Sequence, residues 1–148
     1  MYNLFEQKNA VDILNRLEKL NSNTPAQWGK MSVDQMLAHC AIAFSTPFEP
    51  NTKQSFMGKL FGKMGKRSTL KPEPFKQNLP TPGEFVIKDA KPFDAEKAKL
   101  IAGIKRFTEA GPNGITNNKH PFFGDFSAAD WGFLMHKHID HHLRQFGA

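Results

Sequence analysis

Residues 127–147 read SAADWGFLMHKHIDHHLRQFG, and this stretch decides the fold because it joins a helix start signal to a helical pattern of apolar residues. Ser127 and Asp130 have the spacing of a capping pair, in which each side chain satisfies a free backbone N–H group. We therefore expect the last helix to begin at Ser127 and to run to Gly147. Four of the six histidines of the chain lie in this segment, at positions 136, 138, 141 and 142.

Two of these histidines share one helix face. His138 and His142 are four residues apart, a spacing that brings their Cβ atoms to about 5–6 Å in a helix. Trp131 and Met135 lie on the same face, so the imidazoles continue an apolar stripe. Two imidazoles directed at one point make half of a tetrahedral metal site. By itself such a pair is a weak signal, because histidines near a chain end are also found solvated.

A third histidine lies in the sequence MLAHCAIAF, in the middle of a predicted core-facing helix. If His39 meets His138 and His142, three neutral nitrogen ligands leave further positions for water or substrate. Zn²⁺ is the default ion for this set, and imidazole also binds Ni²⁺, Fe²⁺ and Mn²⁺. The sequence therefore predicts an open divalent-metal site on these three residues.

Two further residues are candidates for catalysis. His120 precedes Pro121 in the segment that enters the last helix, where it could approach the metal, carry a proton or only stabilise a turn. Gln145 follows His142 by three residues. It could hold the second nitrogen of a ligand or a bound water, or it is an ordinary amide at a helix end. Cys40 is expected to be a packed thiol, because neighbouring helical residues point about 100° apart.

Three other segments are predicted to be helical. One runs from Asn3 to Leu20, and another from the Ser32–Gln35 capping box to Pro47. A third is expected to be capped by Asp94 and to end near Gly111. Helices without a convincing series of strands favour an all-α fold, an antiparallel four-helix bundle in a single domain spanning residues 1–148.

The region from Pro50 to Pro92 is a long Pro/Gly/Lys-rich excursion between the second and third of these helices. Within it, SFMGKLFGKMGK (55–66) is expected to form a short amphipathic turn or two, and its three glycines make it a weak helix. EFVIK (84–88) is expected to be a short extended piece, and GPNGITNNKHPFFGDF (111–126) a loop. A loop of this length is more often a lid, an ordered arm or a partner surface than coil.

The net charge of +6 is concentrated in the basic arm, residues 53–76, which has seven basic residues and one acid, Glu73. Such an arm attracts phosphate, an anionic lipid surface or an acidic substrate, or it is simply solvated. The chain shows no nucleic-acid recognition module, so we expect no nucleic-acid partner. It has no apolar run near the ~20 residues that span a bilayer and no signal-peptide pattern. With one cysteine, Cys40, an intramolecular disulfide is excluded, so we expect a cytoplasmic protein.

Two stretches, PAQWGKMSVDQMLAHC (25–40) and HPFFGDFSAADWGFLMHKHIDHHLRQFG (120–147), carry a resemblance to a known group. The chain resembles the DinB/YfiT-like superfamily of metal-binding four-helix bundles, and within it a branch known only as a domain of unknown function. The resemblance implies that His39, His138 and His142 bind a divalent metal.

Members of that superfamily include thiol S-transferases and an isomerase that use low-molecular-weight thiols, and proposed hydrolases; many are homodimers. The resemblance therefore implies a metal-dependent transferase or hydrolase that acts on a small molecule. The alternative is a non-catalytic metal-binding or stress-response module with a structural or vestigial site.

Overall fold

The computed structural model describes residues 2–148, except for the side chain of Glu84, and this part of the chain is mostly helical. It contains five α-helices and one antiparallel sheet of two short strands: α1 (Gln7–Glu18), α2 (Val33–Ser45), α3 (Phe56–Thr69), α4 (Phe93–Ala110), β1 (Lys119–His120), β2 (Gly124–Asp125) and α5 (Ala128–Gln145). The all-α class is therefore confirmed at this level. No helix in residues 2–148 combines the length and the apolar character needed to cross a bilayer.

The helix starts that the Ser32–Gln35 and Ser127–Asp130 pairs predict are present. The backbone N–H of Ser32 donates to Gln35 Oε1 at 3.1 Å at the start of α2. At the start of α5 the bonds are reciprocal: Ser127 N donates to Asp130 Oδ2 at 2.9 Å, and Asp130 N donates to Ser127 Oγ at 3.1 Å. These bonds satisfy N–H groups that have no partner within the helix, and they place His39 and the four C-terminal histidines in regular helix.

One hydrophobic core joins four of the helices. α2 packs along α4 and against α5, and α1 packs against α4 and α5. Fully buried aliphatic side chains from all four helices fill the space between them: Ile13, Leu17, Leu37, Leu100, Ile104, Ile139 and Leu143. Because burying each such side chain is worth about 1.5–3 kcal/mol, this core fixes α2 against α5, the two helices that carry the histidines.

The first helix is shorter than the sequence predicts. It begins at Gln7 rather than at Asn3 and ends at Glu18. Asn3 forms a turn instead, because its Oδ1 accepts from Phe5 N at 2.9 Å. Leu4 N donates to the carbonyl of Gly132 at 3.0 Å, so the chain entering α1 is tied to α5 before the helix starts.

The predicted cap of α4 is also wrong. Pro92 is the N-cap, Phe93 is the first helical residue and Asp94 lies in the first turn. The helix ends at Gly111 as expected, with a φ of 60° that glycine adopts readily. The following stretch is not all loop, because β1 and β2 pair with His120 opposite Gly124.

The largest departure from the sequence prediction is α3, a full helix of 14 residues. The glycines that disfavour it in isolation allow close packing, because a Cβ on Gly58 or Gly62 would collide with the carbonyl oxygen of Phe122. Gln54 Nε2 donates to that same carbonyl at 2.8 Å. Tertiary contact therefore overrides helix propensity here. The segment 84–88 is extended only in part, because Gly83–Phe85 forms a 3-10 turn, whereas Val86 after it has extended backbone angles.

This packing predicts opposite outcomes for two glycine substitutions in α3. Gly58→Ala should destabilise the protein by about 1–3 kcal/mol, because backbone atoms oppose the new methyl group. Gly65→Ala meets ring edges of Phe122 and Phe123, at 3.1 Å or more, which can rotate. It should change stability by less than about 1 kcal/mol, with helix propensity in its favour. Urea unfolding followed by circular dichroism compares them, and equal losses would contradict the packing argument.

Candidate metal centre

Three histidine rings from two helices converge between α2 and α5. His39 projects from the middle of α2, and His138 and His142 from one face of α5. The ring centroids are 4.8–5.0 Å apart, and one potential ligand atom from each residue lies within 4.8 Å of the others. His39 Nε2 lies 3.0 Å from His138 Nε2, near the separation of about 3.4 Å expected for two nitrogens on one tetrahedral zinc ion.

Hydrogen bonds at the far side of two rings set their tautomers. His39 Nδ1 lies 3.0 Å from the carbonyl oxygen of Phe85, which can only accept, so this nitrogen carries the proton. Gln145 Nε2 donates to the carbonyl oxygen of Trp28 at 2.9 Å, which turns its Oε1 toward His142 Nδ1, 2.9 Å away. His142 therefore also carries its proton on Nδ1. Both residues keep an Nε2 lone pair for a ligand, as histidines in metal sites do.

These lone pairs fit a cation. One ring nitrogen from each of the three histidines lies within 4.8 Å of the others, and lone pairs this close repel unless a proton or a cation lies between them. His138 contributes its Nε2 to this region. Its Nδ1 is buried and has no hydrogen-bond partner within residues 2–148. Such a buried, incompletely paired imidazole costs free energy.

Burial keeps these imidazoles neutral. It lowers the pKa of His142 to about 3 and lowers the pKa of His39. The pKa of His138 lies well below its usual value, first because of burial and then because of the neighbouring His142 and His39. A metal binds only the neutral imidazole, so at neutral pH the three rings already have the charge state that an ion requires.

The three histidines line a cavity of about 540 Å³. Its other walls are mainly apolar and aromatic, from Phe75 and Leu79 to Phe122, Phe123, Trp131, Leu134 and Met135. Among the described residues, no lysine, arginine, aspartate or glutamate lines it. The expectation that the basic arm would favour an anionic substrate is therefore not supported: Thr69 and Phe75 of that arm contact the cavity, but its basic side chains do not.

His120 also lines the cavity. Its Nδ1 accepts hydrogen bonds from the backbone N–H groups of Phe122 at 3.0 Å and Phe123 at 3.2 Å. The ring proton must therefore be on Nε2. Burial lowers the pKa of His120 to about 4, so at neutral pH it is a neutral hydrogen-bond donor. The ring thus shapes the turn, as one interpretation of the sequence expects, and also offers an N–H group.

Gln145 lies between His142 and Trp28, and it does not line the cavity. Its Oε1 contacts the second nitrogen of His142, which is the arrangement described by one of the alternatives that the sequence leaves open. The sequence did not predict that the backbone carbonyl groups of Trp28 and Phe85 would bind Gln145 and His39. Every residue has a carbonyl group, so the residue type does not show which one is used. His141 was also missed as a wall of the cavity; its ring lies edge-on to Phe75.

Three other polar side chains of α2 and α5 lie outside the centre. His136 stacks on Tyr2 with ring centroids 5.1 Å apart. Asp140 accepts from Arg16 Nη1 at 2.8 Å and pairs with Arg144, so it is not a partner of an imidazole. Cys40 is buried, and burial raises the pKa of its thiol, as expected for a packed side chain.

Fold and site together define a mostly helical protein with a candidate three-histidine metal centre. The chain belongs to the family described as Protein of unknown function (DUF1569), whose model matches residues 4–148. The prediction of an uncharacterised family is therefore confirmed. No curated protein and no solved structure matches the chain.

The bridge through Gln145 predicts an effect on metal affinity. Gln145→Leu removes the acceptor for His142 Nδ1–H, so affinity for Zn²⁺ should fall about 10–100-fold while the ligands remain. Competition with a fluorescent chelator measures this. Asp140→Asn is a control on the same helix, because Asp140 does not contact the centre. Equal affinity in wild type and Gln145→Leu would exclude the positioning role.

The low pKa of His120 predicts a dependence of stability on pH. Below about pH 6.5 the unfolded chain binds a proton at this residue, whereas the native state does not until about pH 4. The stabilising contribution of neutral, buried His120 is therefore fully present above about pH 6.5. The free energy of unfolding falls as the pH decreases from there to about pH 4. In metal-free protein, urea unfolding at pH 7 and pH 5 should show that wild type loses about 1–2 kcal/mol more than His120→Gln. Parallel losses would refute the assignment.

Proposed function

We propose that this protein is a metal-dependent enzyme in which His39, His138 and His142 hold one divalent ion. The observation that carries the proposal is the convergence of three neutral imidazoles at the wall of a cavity large enough for a small molecule. Zn²⁺ is the expected ion, and Ni²⁺, Fe²⁺ or Mn²⁺ also suit imidazole ligands. Three protein ligands leave a position for water or substrate, as in catalytic zinc sites.

We further propose that α1, α2, α4 and α5 form a four-helix bundle of the DinB/YfiT-like kind, with α3 in the insertion between α2 and α4. The shared core of these four helices supports this assignment. The position of the histidines also supports it, with one in the second helix of the bundle and two in the last. That superfamily includes the thiol S-transferases and proposed hydrolases that guide the choice of reaction.

A bound divalent ion would lower the pKa of a coordinated water, or hold a low-molecular-weight thiol as thiolate, and so supply a nucleophile at neutral pH. The residues of the chain have separate tasks. The Phe85 carbonyl and Gln145 orient His39 and His142. His120 Nε2–H donates to negative charge that develops on the substrate, rather than acting as a base. The aromatic walls exclude water.

The cavity indicates the kind of substrate. Its mainly apolar walls suit a small molecule with an apolar body, and the neutral N–H of His120 suits an acceptor group at one end. Thiol transfer and hydrolysis both fit, since each needs an exchangeable position and a donor for developing charge. A non-catalytic module remains the alternative. A site closed by a fourth protein ligand or sealed by apolar packing would favour it, and the position of the histidines beside the cavity supports the enzyme instead.

Metal analysis of protein prepared without an affinity tag tests the binding site. We expect about one divalent ion per chain in wild type and His136→Gln, and a stoichiometry near zero in His142→Gln. The matched control lies on the same helix, but its ring stacks on Tyr2 and does not face the centre. Folded wild-type protein that binds no ion would defeat the proposal.

Replacement of the ion by Co²⁺ tests whether a position is open. A thiol such as glutathione or cysteine that reaches the ion should produce a sulfur-to-cobalt charge-transfer absorption and a change in the visible bands. A spectrum that does not respond to thiols, and does not respond to small anions such as azide, would indicate a closed site. That result would support the non-catalytic alternative even if the ion binds.

A further inference from the structure

The outer face of α3 exposes an apolar surface that nothing in the candidate centre uses. Five large side chains form it, with these exposed fractions: Phe56 74%, Met57 53%, Leu60 60%, Phe61 45% and Met64 68%. They form one continuous stripe because helical residues three and four apart are neighbours. Isolated exposed apolar side chains are ordinary, but a contiguous patch of large ones marks a surface that meets a partner.

The opposite face of α3 is fixed, so the apolar stripe cannot turn inward. Gly58 and Gly62 lie against the backbone of Phe122. Ser55 N donates to the carbonyl of Pro121 at 2.8 Å before the helix, and at its end Lys137 Nζ donates to the carbonyl of Thr69 at 2.7 Å. Both ends of α3 are therefore anchored with the glycines inward and the apolar side chains outward.

A basic flank runs along the same helix, beside the apolar stripe. Lys59, Lys63 and Arg67 are exposed, and none of them pairs with an acidic side chain within the described residues. Lys66 differs, because it binds Asp130 at 2.8 Å and so holds the helix in place. The surface thus combines large apolar side chains with cations that have no acidic partner among the described side chains.

We infer that α3 docks on an anionic lipid surface and lies in its plane. The helix is about 21 Å long at 1.5 Å per residue, with phenylalanine, leucine and methionine on one face and basic residues beside them. This is the pattern of helices that insert an apolar face at the headgroup boundary and attract anionic lipids with the flank. The inference does not rest on the proposed metal chemistry.

Charge distinguishes this occupant from a second copy of the chain. A second α3 would cover the apolar stripe, but it would bring its own Lys59, Lys63 and Arg67 to the assembly and leave all these cations without anions. An anionic bilayer surface covers the stripe and neutralises the flank together. The docking helix also adjoins the cavity, because Thr69, its last residue, lines it.

Vesicle co-sedimentation of the full chain tests the inference. The probes are vesicles of phosphatidylcholine alone and of phosphatidylcholine mixed with phosphatidylglycerol, at about 0.1 M and about 0.5 M salt. One variant removes the stripe (Phe56→Ser, Leu60→Ser, Met64→Ser) and another reverses the flank (Lys59→Glu, Lys63→Glu). Matched controls change exposed residues elsewhere: Val11→Ser, Ile42→Ser and Val86→Ser for the first, and Lys19→Glu with Lys105→Glu for the second.

We expect wild type and both controls to bind the anionic vesicles and to bind more weakly at the higher salt. Each α3 variant should lose roughly tenfold or more in apparent affinity. No binding, or equal binding by the α3 variants and their controls, would overturn the inference. Light scattering tests whether a second copy of the chain occupies the stripe instead. A dimer that the triple serine variant abolishes, together with no vesicle binding, would also overturn the inference and assign the stripe to a second copy.

Discussion

The close approach of α2 and α5 at three neutral imidazoles is the constraint on which the rest of the site depends. His39, His138 and His142 are placed where core side chains would otherwise continue, and burial disfavours their charged forms. Three hydrogen bonds then tie distant segments to the rings. The Phe85 carbonyl joins the segment before α4 to His39, and Gln145 joins the Trp28 loop to His142. The histidines thus organise the loops that surround the cavity.

The parts of this site that depend on local sequence patterns could be predicted, and the parts that depend on tertiary contacts could not. The faces of the two helices could be predicted, because the spacing of His138 and His142 and the capping residues Ser32 and Ser127 are local signals. The partners of the imidazoles could not be predicted in full. Gln145 was a candidate because it is one turn from His142, whereas the carbonyls of Trp28 and Phe85 are reached only through the tertiary fold.

The difference between local signals and tertiary contacts also explains the errors in the predicted helices. Asn3 and Asp94 are good helix-start residues, but the tie between Leu4 and Gly132 and the position of Pro92 move the helix starts. The prediction for α3 failed for a larger reason. Each interior glycine destabilises a helix by about 1 kcal/mol relative to alanine. A prediction from helix propensity includes only this unfavourable effect. Gly58 and Gly62 also permit backbone contact with Phe122, which no local pattern reveals.

Because of that contact, polar interactions rather than buried apolar side chains hold α3 in place. A helix that packs through glycines buries little apolar side-chain area of its own, so its position depends on polar anchors such as Gln54, Lys66 and Lys137. Its large apolar side chains contribute nothing to the core, since all five point outward. Exposing them has no stabilising effect on the isolated protein, because the hydrophobic effect rewards only area removed from water. The stripe therefore gains free energy only when something outside the chain covers it. A partner that also carries negative charge gains more, because the cations beside the stripe have no acid to pair with among the described residues.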